Sequence, residues 1–493
     1  MTQPLMHPTL TSRREWLRQL SALSGLGVAA PFALNLAAMG EAAAQNATDY
    51  KALVCIFLQG GNDAFNTVLA TDTRSWNAYT RTRQQQPESL VLPRDQILPL
   101  TPARNQGRSF ALHPNLKEVQ KLFNDQKRLA ILANVGTLIE PVPTKGDFER
   151  KTRRLPSKLF SHNDQQATWN ALGPEGTARG WGGRMADVVA SGNGRSLFTA
   201  ISMSGNSVWL SGQDVRQYHM GPDGPITYGF QRTAQNTKVL YGSPQVAAAM
   251  DRIVRSSRTG SVFAKDLADI GGRSMDAEQL LNQTLPSVEQ AEFGVADDMK
   301  YWSPITRGMA VNPLAQQLRM VARTIGARQG LGMTRQVFFI NLYNFDTHDQ
   351  QLRNHGEMMA RLDHALRYFD DTLGRMKLLD RVTTFTASDF GRTFTSNGDG
   401  TDHGWGAHHF IMGGAVQGGD IHGTFPDLGL KNADNNGFNS EDQLHNGVLL
   451  PRVSVEQYGA TLARWFDPRI NLQDVFPNLS NFSDRPNLGF MKA

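Results

Sequence analysis

Four short, near-continuous apolar runs constrain this chain most: Lys51–Leu58 (KALVCIFL), Leu129–Asn134 (LAILAN), Gln336–Leu342 (QVFFINL) and Val382–Ser388 (VTTFTAS). A strand with one wet face alternates apolar and polar residues, whereas an unbroken run has both faces covered. Leu197–Met203 and Ser207–Leu210 read as a further pair, and His409–Met412 as a short strand. Helical patterns fall between them at Pro114–Gln126, His162–Leu172, Asn312–Arg328, Gln350–Leu378 and Val455–Trp465. Buried strands alternating with helices predict an α/β fold, a mostly parallel sheet with helices on both faces. Residues 213–310 break the pattern. They are rich in Gln, Asn, Ser and Gly, contain helical pieces at Ser243–Ser256 and Ser261–Thr284, and read as a helical insertion or cap.

Residues 1–44 read as an address and 45–493 as the folded domain. Arg13 and Arg14 precede a modest apolar stretch, Leu20 to Ala38, and then Ala42-Ala43-Ala44. That order of charged, apolar and small residues is an export signal, and the arginine pair resembles a twin-arginine signal. The expected location is periplasmic or extracellular, with the twin-arginine machinery as a partner and no stable membrane span after cleavage. The lone Cys55 excludes an internal disulfide and any thiolate metal site, and it suits a chain folded in a reducing compartment before export. A net charge of +5 without a long basic run points to no nucleic-acid partner. Oligomeric state is open.

Three of the apolar strands run directly into carboxylates. The first leads to Gln59-Gly60-Gly61-Asn62-Asp63, QVFFINL to Tyr343-Asn344-Phe345-Asp346-Thr347-His348, and VTTFTAS to Asp389-Phe390-Gly391-Arg392. Ligands of open α/β sheets bind at the carboxyl ends of strands. Acids gathered there repel one another unless a cation or proton lies among them. His348, His403, His408 and His409 fall in the same loops, four of the 12 histidines. Oxygen ligands with imidazoles favour zinc or manganese, with magnesium or calcium possible. The bland alternative for any single acid is a helix cap or turn residue. His355, His364 and His113 read as packing or local structure, and the glycine-dense stretch 413–423 as loop or hairpin.

Ser161 opens the helix beginning at His162, where free backbone N–H groups create a positive potential. A cation-bound hydroxyl there could ionise and attack phosphorus or sulfur. The plain alternative is an N-cap. Arg392 could clamp an oxyanion bidentately, or serve as a structural ion-pair partner.

GGND at 60–63, LHPNL at 112–116, SHNDQQ at 161–166, FDTHDQQ at 345–351, SDFGRT at 388–393, DHGWGAHH at 402–409, VEQYGATLARWF at 455–466 and VFPNL at 475–479 resemble the domain-of-unknown-function family 1501 across nearly the whole chain. The resemblance implies kinship with the alkaline phosphatase and sulfatase superfamily, and hence a three-layer α/β/α sandwich. It implies two metal sites, one on Asp63, Ser161 and Asp389 and another on Asp346, His348 and His408. Phe390 stands where the superfamily has a histidine, and His403 from the next loop is the expected substitute.

The expected function is an exported metal-dependent hydrolase acting on a phosphate or sulfate ester of a small molecule or polymer. Ser161 and Arg392 would be catalytic, Asn62 and His162 would bind substrate, and Asp63, Asp346, His348, Asp389, His403 and His408 would hold one or two divalent ions. The alternative is a non-catalytic periplasmic binding or assembly protein on a degraded phosphatase-like fold. A redox enzyme is disfavoured by the lack of a flavin, haem or thiolate motif.

Overall fold

The computed structural model describes residues 49–492 apart from 85–87, 228, 234–236, 257–260 and 434–436. The expected leader, residues 1–44, lies outside the described residues. The central sheet uses β1 (Lys51–Leu58), β2 (Leu129–Gly136), β3 (Ala200–Ser202), β4 (Tyr218–Gly221), β5 (Arg335–Leu342), β6 (Val382–Ser388), β7 (Ala407–Met412) and β8 (Ile421–His422). Their spatial order is β8-β2-β7-β6-β1-β5-β3-β4. β1 lies between β5 and β6, parallel to both, with Leu58 level with Leu342 and Ser388.

Helices cover both faces, as the unbroken apolar runs require. On β1, Ala52, Val54, Ile56 and Leu58 join one core with Leu318 and Val321 of α7 (Pro313–Gly326) and with Leu362 and Phe369 of α8 (Gln351–Arg375). Leu53, Cys55 and Phe57 join the other core with Met185 and Val189 of α4 (Trp181–Val189) and with Tyr458 and Leu462 of α9 (Val455–Phe466). Each Val, Leu, Ile, Phe or Met side chain among these contributes about 1.5–3 kcal/mol on burial. The fold is thus a mostly parallel α/β/α sandwich. The remaining labelled helices are α1 (Thr73–Arg83), α2 (Lys117–Asn124), α3 (His162–Ala171), α5 (Pro244–Arg255) and α6 (Val262–Thr284). Among the described residues no helix is long and apolar enough to cross a membrane.

Three details differ from the sequence reading. Val208–Leu210 is a 3-10 turn, not a strand, because Trp209 folds inward to meet Trp181 at 5.0 Å between ring centroids. Tyr218–Gly221, expected within the insertion, is a sheet strand beside β3. β7 runs antiparallel to its neighbours β6 and β2. The loop between β6 and β7 contains no crossover helix, so the chain turns back from the end at which it left the sheet. That loop carries His403.

Candidate metal centre

Because β6, β1 and β5 are adjacent and parallel, their three carboxyl-terminal loops meet. Gly60 makes the junction possible. It has φ +117°, and a Cβ there would lie 2.3 Å from the Asp346 backbone nitrogen. The Gly60 N–H donates to Asp389 Oδ1 at 3.0 Å, fastening the β1 loop to the β6 loop.

Asp346 is the hub. Its Oδ1 lies 2.8 Å from Arg392 Nη1, 3.1 Å from His348 Nε2 and 3.5 Å from His403 Nε2, and its Oδ2 lies 3.3 Å from His162 Nε2. Ligand atoms of His162, Asp346 and His403 all fall within 4.8 Å of one another. His348 Nε2 lies at the edge of this group, 2.9 Å from His403 Nε2 and 3.1 Å from Asp346 Oδ1, but is not within 4.8 Å of every member.

The outer nitrogens decide which tautomers are present. His162 Nδ1 meets Asp389 Oδ2 at 2.7 Å, His403 Nδ1 meets the Phe160 carbonyl at 2.8 Å, and His348 Nδ1 meets Asp402 Oδ1 at 3.3 Å. Each of these partners accepts, so each ring can keep its hydrogen on Nδ1, and with a cation among them each Nε2 is then free to turn a lone pair inward. Lone pairs of two imidazoles facing at 2.9 Å repel unless a proton or cation sits between them. The His162 Nε2 is buried without a hydrogen-bond partner. The His162 and His403 Nε2 atoms with the Asp346 carboxylate, His348 at their edge and an outer shell of hydrogen-bonded acceptors make a donor set that fits a divalent ion.

Charges follow the same geometry. The Asp389 hydrogen bond raises the His162 pKa above the usual imidazole value. Burial lowers that of His403. Burial would raise Asp346, but the Arg392 hydrogen bond and charge outweigh it and hold the carboxyl below its usual range. Phe390 packs 4.8 Å from the His162 ring and 4.7 Å from the His403 ring, so the residue in the expected histidine slot braces two imidazoles while His403 reaches in from the next loop. The cluster lies beside a groove of about 650 Å³ lined by Gln59, Gln166, Tyr343, Asn344, Asn354 and Arg361 together with His162 and Asp346.

The other expected site residues lie elsewhere or act differently. Asp63 is fully buried and takes both Arg83 Nη groups, at 2.5 and 2.9 Å, plus the Gln351 amide at 2.6 Å and the Phe65 N–H at 3.2 Å. Its oxygens are committed to an ion pair and a helix cap, so it is not a ligand of this cluster. His408 is a core residue, stacked 4.5 Å from Phe425 and accepting the Asn134 N–H at 3.1 Å; burial pushes it down to about 3. Asn62 is buried, its Oδ1 taken by Thr67 at 3.1 Å and facing His355 Nε2 at 3.0 Å, rather than lining the groove. Ser161 Oγ donates to Asp164 Oδ2 at 2.9 Å within its own helix start, away from a nucleophile's task. Arg392 is fully buried and spends its donors on Asp346, the Gly60 carbonyl and Thr401, so it positions Asp346 instead of clamping substrate. Asp389 orients His162 and accepts from Gln166 at 2.6 Å. His162, expected at the substrate, points at the cluster.

Sequence reasoning missed the roles of Gln166, Asp402 and the Phe160 carbonyl. Gln166 stands one turn after His162 on α3, so that spacing was available as a signal. Nothing in a sequence announces a backbone carbonyl partner.

Fold and site together define an α/β/α sandwich protein with a His/Asp cluster at the carboxyl edge of its sheet. A family model described as protein of unknown function (DUF1501) matches residues 50–466, and the chain belongs to that family. No curated protein matches it. Among solved structures it is similar to Ps i-CgsB bound to k-i-k-neocarrahexaose, with 7% identity, covering 89% of this chain and 77% of that one, TM-score 0.35. It is also similar to the PsFucS1 sulfatase from Pseudoalteromonas sp., with 8% identity, coverage 79% and 69%, TM-score 0.31. A multiply substituted alkaline phosphatase PafA matches at 10% identity, coverage 70% and 63%, TM-score 0.27.

Proposed function

We propose that this protein is an exported, metal-dependent hydrolase of phosphate or sulfate esters, with one divalent ion held by His162, Asp346, His348 and His403. The observation that carries this reading is the convergence of the His162, His348 and His403 Nε2 atoms on the Asp346 carboxylate beside an open groove. A nitrogen-rich set favours zinc or manganese over magnesium or calcium. A bound divalent ion supplies Lewis acidity toward an ester oxygen and neutralises developing negative charge.

The chain's own groups supply the rest. Arg392 fixes Asp346 from behind, and Asp389 keeps the Nδ1 hydrogen of His162 in place. Asn344, Asn354 and Tyr343 offer amide and hydroxyl groups to a substrate in the groove. With Ser161 Oγ bonded to Asp164, the geometry favours a water nucleophile over Ser161. Export rests on the leader pattern at Arg13-Arg14 and Ala42-Ala43-Ala44.

The tied hydroxyl of Ser161, the saturated Arg392 and Phe390 favour a second reading, a metal-binding protein without turnover. Elemental analysis of purified folded protein, followed by aryl phosphate, phosphodiester and sulfate ester assays with Zn, Mn, Mg and Ca, separates the readings. One ion per chain with turnover supports the hydrolase. One ion without turnover supports the binding protein. No ion under metal-preserving conditions sinks the metal centre itself.

A further inference from the structure

Helix α6 carries Phe263, Leu267, Ile270, Ser274, Ala277 and Leu281, apolar or small residues in a strict four-three repeat. This is the spacing of a two-helix seam. Its carboxyl-terminal half is covered by the protein itself, with Ala277 at 4% and Leu281 at 0% exposure. The same stripe then runs uncovered into the amino-terminal half, where Ile270 is 45%, Leu267 71% and Phe263 87% exposed. An apolar stripe left this bare marks a surface that associates.

We infer that this stripe is the self-association surface of the protein, meeting the same stripe of a second copy in antiparallel fashion. The charges choose the partner. Asp266 and Arg273 flank the stripe on one side, both exposed and seven residues apart. A twofold axis passing between Leu267 and Ile270 sets Leu267 against Ile270 of the second copy and Phe263 against its Ser274. In that register each Asp266 falls beside the Arg273 of the other copy, twice over. A contact related by a twofold must be complementary to itself, and this one is. The opposite flank is closed by the protein itself, with Gly271 buried and Ala264 half-buried, so the second copy meets the stripe and its Asp266/Arg273 side. The seam is short, so association is weak and visible at micromolar concentrations and above. The inference is independent of any reading of the metal centre.

Sedimentation equilibrium of the full-length folded protein tests it. The wild type is expected to show a concentration-dependent monomer–dimer equilibrium, and Leu267→Asp to remain monomeric with unchanged circular dichroism. Asp266→Arg and Arg273→Asp each place like charges together and should weaken the dimer about tenfold or more. Combining both substitutions in one chain should restore it. Mixing the two single variants should produce a heterodimer tighter than either homodimer, a result that repair of the fold cannot mimic. A wild type that stays monomeric throughout, a Leu267→Asp dimer of wild-type strength, or a double variant no tighter than the singles would overturn the inference.

Discussion

Replacing Asp63 by Asn separates the two tasks a strand-end carboxylate can have. Asp63 and Arg83 are both fully buried, and the guanidinium makes two bonds to the carboxylate. Burial alone would raise the Asp63 pKa, yet the Arg83 charge holds it below the ordinary range, so the pair is ionic in the folded protein. Asn cannot balance Arg83, and an uncompensated buried charge costs about 3–5 kcal/mol. For a domain of roughly 440 residues, an unfolding entropy of about 2.1 cal/mol/K per residue gives about 0.9 kcal/mol per degree, hence a Tm lower by about 3–5 °C. Metal content should be unchanged, because neither Asp63 oxygen faces the cluster. Asp346→Asn should lose the ion, and because it also removes the carboxylate beside the fully buried Arg392 its Tm should fall as well, so metal content is the readout that separates the two carboxylates. The assays are calorimetry and elemental analysis on the same preparations. An Asp63→Asn protein that loses its metal without a fall in Tm would refute the assignment.

Asp389→Asn would present an amide N–H to His162 Nδ1, force the hydrogen onto Nε2 and withdraw one lone pair; metal affinity should fall about 10- to 100-fold by competition with a chelator. Ser161→Ala removes a single hydrogen bond, a loss of about 0.5–1.5 kcal/mol, and should leave metal content and any ester turnover intact; abolished turnover with metal retained would return Ser161 to the nucleophile role. Asp363 accepts the Val119 N–H at 2.8 Å, and burial pushes its pKa up to about 7. Between about pH 4 and 7 the folded state therefore binds a proton that the unfolded state releases, so stability is greatest at the acid end and falls as pH rises through 7. A shift of about three units corresponds to roughly 4 kcal/mol. Asp363→Asn should flatten this slope and raise Tm at pH 8 relative to wild type. Glu456, likewise raised to about 7, should preserve part of the slope in the variant.

The central sheet was legible in the sequence because burial on both faces leaves a one-dimensional trace: KALVCIFL has no polar face to offer water. Asp346, His348 and His403 were legible as a group because strand ends in a parallel sheet share one edge. Residues such as Asp63, His408 and Asn62 look the same in one dimension, a polar residue just past or near a strand end. Their fate depended on partners hundreds of positions away or on another helix: Gln351 on α8 and Arg83 on α1 for Asp63, Asn134 for His408, His355 for Asn62. The reversal of β7 also escaped the sequence, since strand direction follows from which end the connecting loop occupies. What the sequence by itself determined was the layering of the fold and the edge at which its chemistry gathers, because hydrophobic periodicity is local. Which carboxylates face a cation and which are locked into ion pairs was decided only by tertiary structure, because a charge's role is set by the groups within a few ångströms of it.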